Sequence, residues 1–91
     1  SLRADIAVMG SNGLTAQHGL STPDPDEAAV KRAMVASARR VAALVDASKI
    51  GQEHLVSFAS LDDIDLLVTD VELPPALIDQ LTAAETEVLV A

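Results

Sequence analysis

Asp5-Ile6-Ala7-Val8-Met9-Gly10 is an apolar run stopped by glycine, and Val41-Ala42-Ala43-Leu44-Val45-Asp46 is a second one stopped by an acid. Continuous apolar runs bounded by turn residues fit strands buried on both faces, as in parallel sheets. Between them Asp24 suits a helix N-cap, Pro25 the first helical position, and Glu27 completes an Asp-x-x-Glu capping box. Val30, Met34 and Ala38, flanked by Ala33 and Val41, have helical spacing and predict the buried stripe of that helix. Glu27 and Lys31 are i, i+4 partners, and Arg39 and Arg40 would complement the dipole at the helix end. Residues 5–46 therefore read as one β-α-β unit.

The pattern recurs downstream. Asp65-Leu66-Leu67-Val68-Thr69-Asp70 and Glu87-Val88-Leu89-Val90-Ala91 are strand-like, and Pro74-Pro75 starts a second helix with Leu77, Ile78, Leu81 and Ala84 facing inward. Residues 47–64 are less regular, with a short strand at about 57–61 and a helical turn at 61–64. Such alternation predicts an α/β fold, a Rossmann-like, mostly parallel sheet with flanking helices and right-handed crossovers. The longest loop spans residues 11–23, and compact domains seldom keep a loop of about 12 residues without a use for it.

The chain has 91 residues and a net charge of −8, the size of one domain or part of one. It opens on Ser1-Leu2-Arg3 without an initiator Met and reads as a piece of something longer. Phe58 is its one aromatic residue, which disfavours stacking on bases or sugar rings. It has no cysteine, hence no disulfide, thiolate metal site or thiol nucleophile. All six cations lie at or before Lys49, and residues 50–91 carry nine acids. Direct nucleic-acid binding by this segment is disfavoured, because phosphate contacts need Lys and Arg in numbers. No apolar run reaches the roughly 18 residues of a membrane span, and no secretory signal opens the chain.

In an open parallel sheet, ligands bind outside the carboxyl ends of the strands. Three sets of residues are delivered there: Gly10-Ser11-Asn12-Gly13, Asp46-Ala47-Ser48-Lys49, and Asp70. The glycine pair is neither a dinucleotide fingerprint nor a P-loop. Asp46 and Lys49 either pair with each other or divide a ligand, the acid taking a hydroxyl and the cation an anionic group. Lys31 is either Glu27's surface partner or a second cation reaching over the helix start. His18 and His54 have no companion at metal-ligand spacing. Ser11, Ser48 and Thr15 have no nearby base in sequence to activate them.

These segments together resemble one family. Ala7-Val8-Met9-Gly10-Ser11-Asn12-Gly13, the stretch from His18 to Asp24, Glu27 to Met34, Leu44 to Gly51, and Ile64 to Asp70 closely resemble the C-terminal effector domain of the DeoR family of bacterial transcriptional repressors. The resemblance covers nearly the whole chain and corresponds to the second half of that domain. It implies a fold similar to sugar-phosphate isomerases and CoA transferases, and an N-terminal winged helix-turn-helix, absent here, that binds operator DNA. It implies a phosphorylated sugar or related metabolite as effector and no cofactor. Asp46 and Lys49 match the family's D-x-S-K stretch, and Glu27, Lys31 and Arg32 match its E-x-x-x-K-R helix start. The expected effector contacts are thus Asn12, Gly13, Lys31, Asp46 and Lys49, in a cytoplasmic homo-oligomer with no membrane partner.

Two other functions compete with this one. The first is a sugar-phosphate isomerase or deaminase, whose equivalent loop looks like G-x-G-x-[ED]-G-H. Here Asn12 and Leu14 stand in that loop, and neither can move a proton, so an enzyme is not expected. The second is a non-binding oligomerisation scaffold that uses Leu77, Ile78 and Leu81 between subunits.

Overall fold

A computed structural model describes residues 4–91. Four strands, β1 (Ala4–Gly10), β4 (Ala38–Leu44), β6 (Leu66–Thr69) and β7 (Glu87–Val90), form a parallel sheet in the order β1-β4-β6-β7. Its register sets Gly10 beside Leu44, Leu44 beside Val68, and Val68 beside Leu89. The carboxyl ends of all four strands thus form one rim. The predicted α/β class and the parallel sheet are what the chain adopts.

The stretch 11–23 is not a plain loop. It folds into a hairpin of β2 (Gly13–Thr15) and β3 (Gly19–Thr22), which β5 (Val56–Ala59) extends into an antiparallel sheet ordered β2-β3-β5. Strands this short carry no period to read. Their turn is local chemistry: the Thr15 hydroxyl accepts from the His18 N–H at 3.0 Å, and Gly19 sits at φ +65°. A side chain at Gly19 would also run into the Ala59 carbonyl.

Helix α1 (Pro25–Ser37) starts as expected, with the Asp24 carboxylate accepting from the Asp26 and Glu27 N–H groups. Three details differ. Glu27 does not close a capping box; its carboxylate accepts from the Thr22 hydroxyl at 2.7 Å and faces Lys31 instead. The predicted stripe is wrong: Val30 is 63% exposed and Met34 is exposed, while Ala28 is buried and Val35 packs against the core. A small residue at the contact lets the helix approach closely, so a wide apolar stripe is not required. Finally, the helix ends at Ser37, and Arg39 and Arg40 belong to β4 rather than to a last helical turn. Pairing of residues 38–44 with β1 outweighs the helical propensity of Ala and Arg.

Helix α2 (Pro75–Ala83) buries Leu77 and Leu81, one turn apart; Ile78, expected inside, is 42% exposed because it lies round the helix from that pair. Glu85 at φ 60° ends the helix in the left-handed conformation. The irregular segment holds β5 and a 3-10 turn at Leu61–Asp63, close to the prediction, and a further 3-10 turn at Ala47–Lys49 that was not expected.

All of these elements share one core. Met9, Val41, Ala43 and Leu67, from one face of the parallel sheet, pack with Leu14, Leu20 and Phe58 of the hairpin region and with Ala28, Leu77 and Leu81 of the helices. Two side chains stitch the crossovers together. Asp65 accepts from the Val41 N–H at 2.7 Å, and the buried Thr86 hydroxyl lies 2.8 Å from the Ile64 carbonyl. Among the described residues no helix is long and apolar enough to cross a membrane.

Candidate functional site

β1 and β4 are neighbours in parallel, so the turns that follow them emerge side by side on the rim. Beyond the turns the two chains stay together. Leu14 and Ile50 form a parallel bridge, and the Gly51 N–H donates to the Leu14 carbonyl at 2.8 Å. Asn12 and Asp46, each two residues past a paired strand end, therefore belong to the same edge of the molecule.

The first turn is held by neutral groups. The Ser11 hydroxyl faces two carbonyls, Gly13 at 2.7 Å and Ser21 at 3.1 Å, and accepts from the N–H groups of the same two residues. One hydroxyl proton serves one carbonyl at a time. Ser21 in turn accepts from the His54 N–H at 3.0 Å. The His54 ring lies with Nε2 2.9 Å from the Asn12 carbonyl; because a carbonyl only accepts, Nε2 carries the proton. This fixes the Asn12 backbone through its carbonyl rather than through its carboxamide. Gly13 is buried, and a Cβ there would collide with the Gln52 carbonyl, so close backbone approach demands glycine.

Charged groups hold the second turn. The Asp46 carboxylate caps the 3-10 turn, accepting from the Ser48 N–H at 3.0 Å and the Ser48 hydroxyl at 2.5 Å. The Lys49 ammonium donates to the same hydroxyl at 3.2 Å. Ser48 thus links cation to acid, and the two charges share a hydroxyl instead of meeting directly. The Ser48 hydrogen bond, and after it the Lys49 charge, hold the Asp46 carboxyl below its ordinary value against a desolvation effect in the other direction. Asp70, at the end of β6, accepts from the Ala47 N–H at 2.8 Å and so ties the turn to the next strand.

Lys31 is committed to a third structure. Its ammonium donates to the Gly10 carbonyl at 2.7 Å, lies 3.4 Å from Glu27, and stands 5.0 Å from the centre of the Phe58 ring. Its side chain is only 16% exposed. The Thr22 hydroxyl, and then the Lys31 charge, keep the Glu27 carboxyl below its usual range. The helix is thereby tied to the end of β1, and Arg32 ties it to β5 through the Ser57 carbonyl at 2.6 Å.

Of the five residues singled out in the sequence, Asn12, Gly13, Asp46 and Lys49 lie on the paired turns, and Lys31 reaches the strand end that precedes the first. Two clefts open on this rim. One of about 260 Å³ runs between the ends of β4 and β6 and is lined by Asp46, Asp70 and Thr69. The other, about 330 Å³, lies between the hairpin and α2 and is lined by Leu14, Ile50 and Leu77. Of the five residues only Asp46 lines the first cleft, and none lines the second. Sequence reasoning missed Ser11, Ser21 and His54 as the scaffold of the first turn. Ser11, between two glycines, carries a faint signal; Ser21 and His54 carry none, because their partners are 10 to 42 residues away. Among the described residues no three His, Cys, Asp or Glu side chains gather as a metal site.

Residues 1–71 match the DeoR C terminal sensor domain family. The chain is 46% identical over 66 residues to the HTH-type transcriptional regulator GlpR of Haloferax volcanii, covering 72% of this chain and 26% of that protein. It is 37% identical over 90 residues to the HTH-type transcriptional repressor GlcR of Bacillus subtilis, covering 99% and 34%. With the glycerol-3-phosphate regulon repressor of Escherichia coli it shares 31% over 80 residues, covering 88% and 32%. The chain spans between a quarter and about a third of the length of these relatives, all of them transcriptional regulators. Four strands in parallel, two turns brought onto one rim and a match over most of its length agree: the chain belongs to the DeoR C-terminal sensor domain family.

Proposed function

We propose that this chain is the effector-sensing part of a cytoplasmic transcriptional repressor, and that it takes a phosphorylated sugar or related metabolite on the rim beyond β1 and β4. The observation that carries this reading is the adjacency of the Ser11–Gly13 and Asp46–Lys49 turns. Asn12 and Gly13 line the sugar, Asp46 accepts from a hydroxyl, and Lys49 meets the anionic end. Lys31 acts through the turn it holds, since its ammonium already serves Gly10 and Glu27. Effector binding changes operator affinity of an attached helix-turn-helix, in a homo-oligomer, to the extent that the ligand binds the two states differently. An isomerase or deaminase is disfavoured by Asn12 and by Leu14, whose fully buried side chain is in the core rather than on the rim.

The test is calorimetry of the full-length gene product with hexose, pentose and polyol phosphates, paired with operator-release assays. One of them binds, and Asp46→Ala and Lys49→Ala each weaken it by about tenfold or more, the loss of one charge-assisted contact of about 1.5–3 kcal/mol. Unchanged affinity and unchanged operator release in both variants overturn the site. Turnover of any of these compounds overturns the sensor reading in favour of an enzyme.

A further inference from the structure

Resting on the sensor reading of the Asp46–Lys49 turn, we infer that Asp70 is its positioning residue: the carboxylate reaches across from the end of β6 and holds the turn in the conformation that meets a ligand. Ala47–Lys49 is a 3-10 turn capped by Asp46, and the first N–H groups of any helical turn have no partner within it. The Lys49 N–H goes to the Asp46 carbonyl at 3.0 Å, and the Ser48 N–H goes to the Asp46 carboxylate at 3.0 Å. The Ala47 N–H is left over, and Asp70 accepts from it at 2.8 Å.

No other bond of the turn reaches so far. Among the described residues, every other hydrogen bond made by residues 46–49 closes within residues 46–52. The flanks have anchors of their own: the Val45 N–H donates to the Val68 carbonyl at 2.9 Å, and the Gly51 N–H to the Leu14 carbonyl at 2.8 Å. Between those anchors Asp46, Ala47 and Ser48 are exposed, so packing does little to fix them. The bond from Asp70 is the one that ties this stretch to another strand. Asp70 also lines the same cleft as Asp46, and two carboxylates on one cleft repel. A neutral acceptor would avoid that repulsion, but a charge-assisted bond to the Ala47 N–H is the stronger tie. A loose turn would have to be ordered by the ligand, at the expense of affinity, whereas a turn already fixed avoids that cost. Asp70 thus governs affinity without touching the ligand.

Two variants of the full-length gene product test this. Asp70→Ala removes the acceptor; Asp70→Asn removes the charge and keeps an oxygen that can accept. Amide hydrogen exchange, resolved to single residues by fragmentation in the mass spectrometer, needs no effector. In Asp70→Ala the Ala47 amide is expected to exchange at least about tenfold faster, with the Val45 and Gly51 amides unchanged, and Asp70→Asn restores its protection. Calorimetry with the same hexose, pentose and polyol phosphates should show the compound that binds wild type held about fivefold or more weakly by Asp70→Ala, and rescued by Asp70→Asn. Unchanged Ala47 exchange in Asp70→Ala overturns the proposal, as does loss of protection at Val45 and Gly51 together with Ala47, which makes Asp70 a support of the whole fold. Unchanged affinity in Asp70→Ala overturns it too. Affinity lost equally in Asp70→Asn also overturns it, because the charge then acts on the ligand itself. If no compound binds wild type, the sensor reading fails, and exchange alone decides whether Asp70 holds the turn.

Discussion

Ser11–Gly13 and Asp46–Lys49 leave neighbouring parallel strands for the same rim, yet they are held by opposite means. The first is fastened by a hydroxyl, a histidine N–H and backbone groups, under the close approach of Gln52. The second stands in water and is fastened by its own Asp–Ser–Lys series. Neutral bonds at a close backbone contact leave no freedom to exchange a partner, so the first turn is a fixed wall. Exposed charges that satisfy one another through a single hydroxyl can turn to a ligand at small cost, since exposed ionic contacts contribute little to folding. The two turns are therefore unequally committed to the fold, and substitutions should separate them.

The largest effect falls on the wall. Gly13→Ala forces a Cβ against the Gln52 carbonyl and should destabilise the fold by about 2–3 kcal/mol, as overpacking does, measured by denaturant or thermal melting. Ser11→Ala comes next: it removes the hydroxyl that accepts from the Gly13 and Ser21 N–H groups and donates to one of their carbonyls, at a cost of about 1–3 kcal/mol by the same measurement. A melting midpoint unchanged in both would mean that the first turn is not rigid, and the contrast fails.

Smaller effects are expected on the charged turn. Asp46→Ala should lower the melting midpoint at neutral pH by less than Ser11→Ala. Its carboxyl is held below the ordinary 3.8, so its contribution is present above that value and disappears as pH falls through the depressed one. Melting curves of wild type and variant should accordingly converge in acid; a gap that persists below that range assigns the effect to packing instead. Lys49→Ala should be the mildest of all for stability, within about 0.5 kcal/mol, the usual range of a surface substitution. A larger loss would make Lys49 a structural cation.

The places of the main strands along the chain and both helix starts were readable because each rests on local chemistry: apolar runs of 4 to 7 residues, an aspartate before Pro25, and Pro74-Pro75. The charged turn was equally readable, since Asp46, Ser48 and Lys49 interact within four residues of chain. The end of α1 was misplaced because residues 38–40 favour helix locally and are drawn into β4 by a strand more than thirty residues away. Lys31 stayed ambiguous for the same kind of reason. Its sequence neighbour Glu27 is visible at i−4, whereas the Gly10 carbonyl and the Phe58 ring that also hold it lie 21 and 27 residues off.

From composition and periodicity alone came the α/β class, the direction of the sheet, the absence of thiol chemistry and the two turns that leave its first two strands. Those properties depend on residue types and on spacings within a single element, which a linear chain displays. Which hydroxyl holds the first turn and where Lys31 ends were settled only when the strands paired. Each is a contact between residues far apart in the chain, and register and packing, not local propensity, choose those partners.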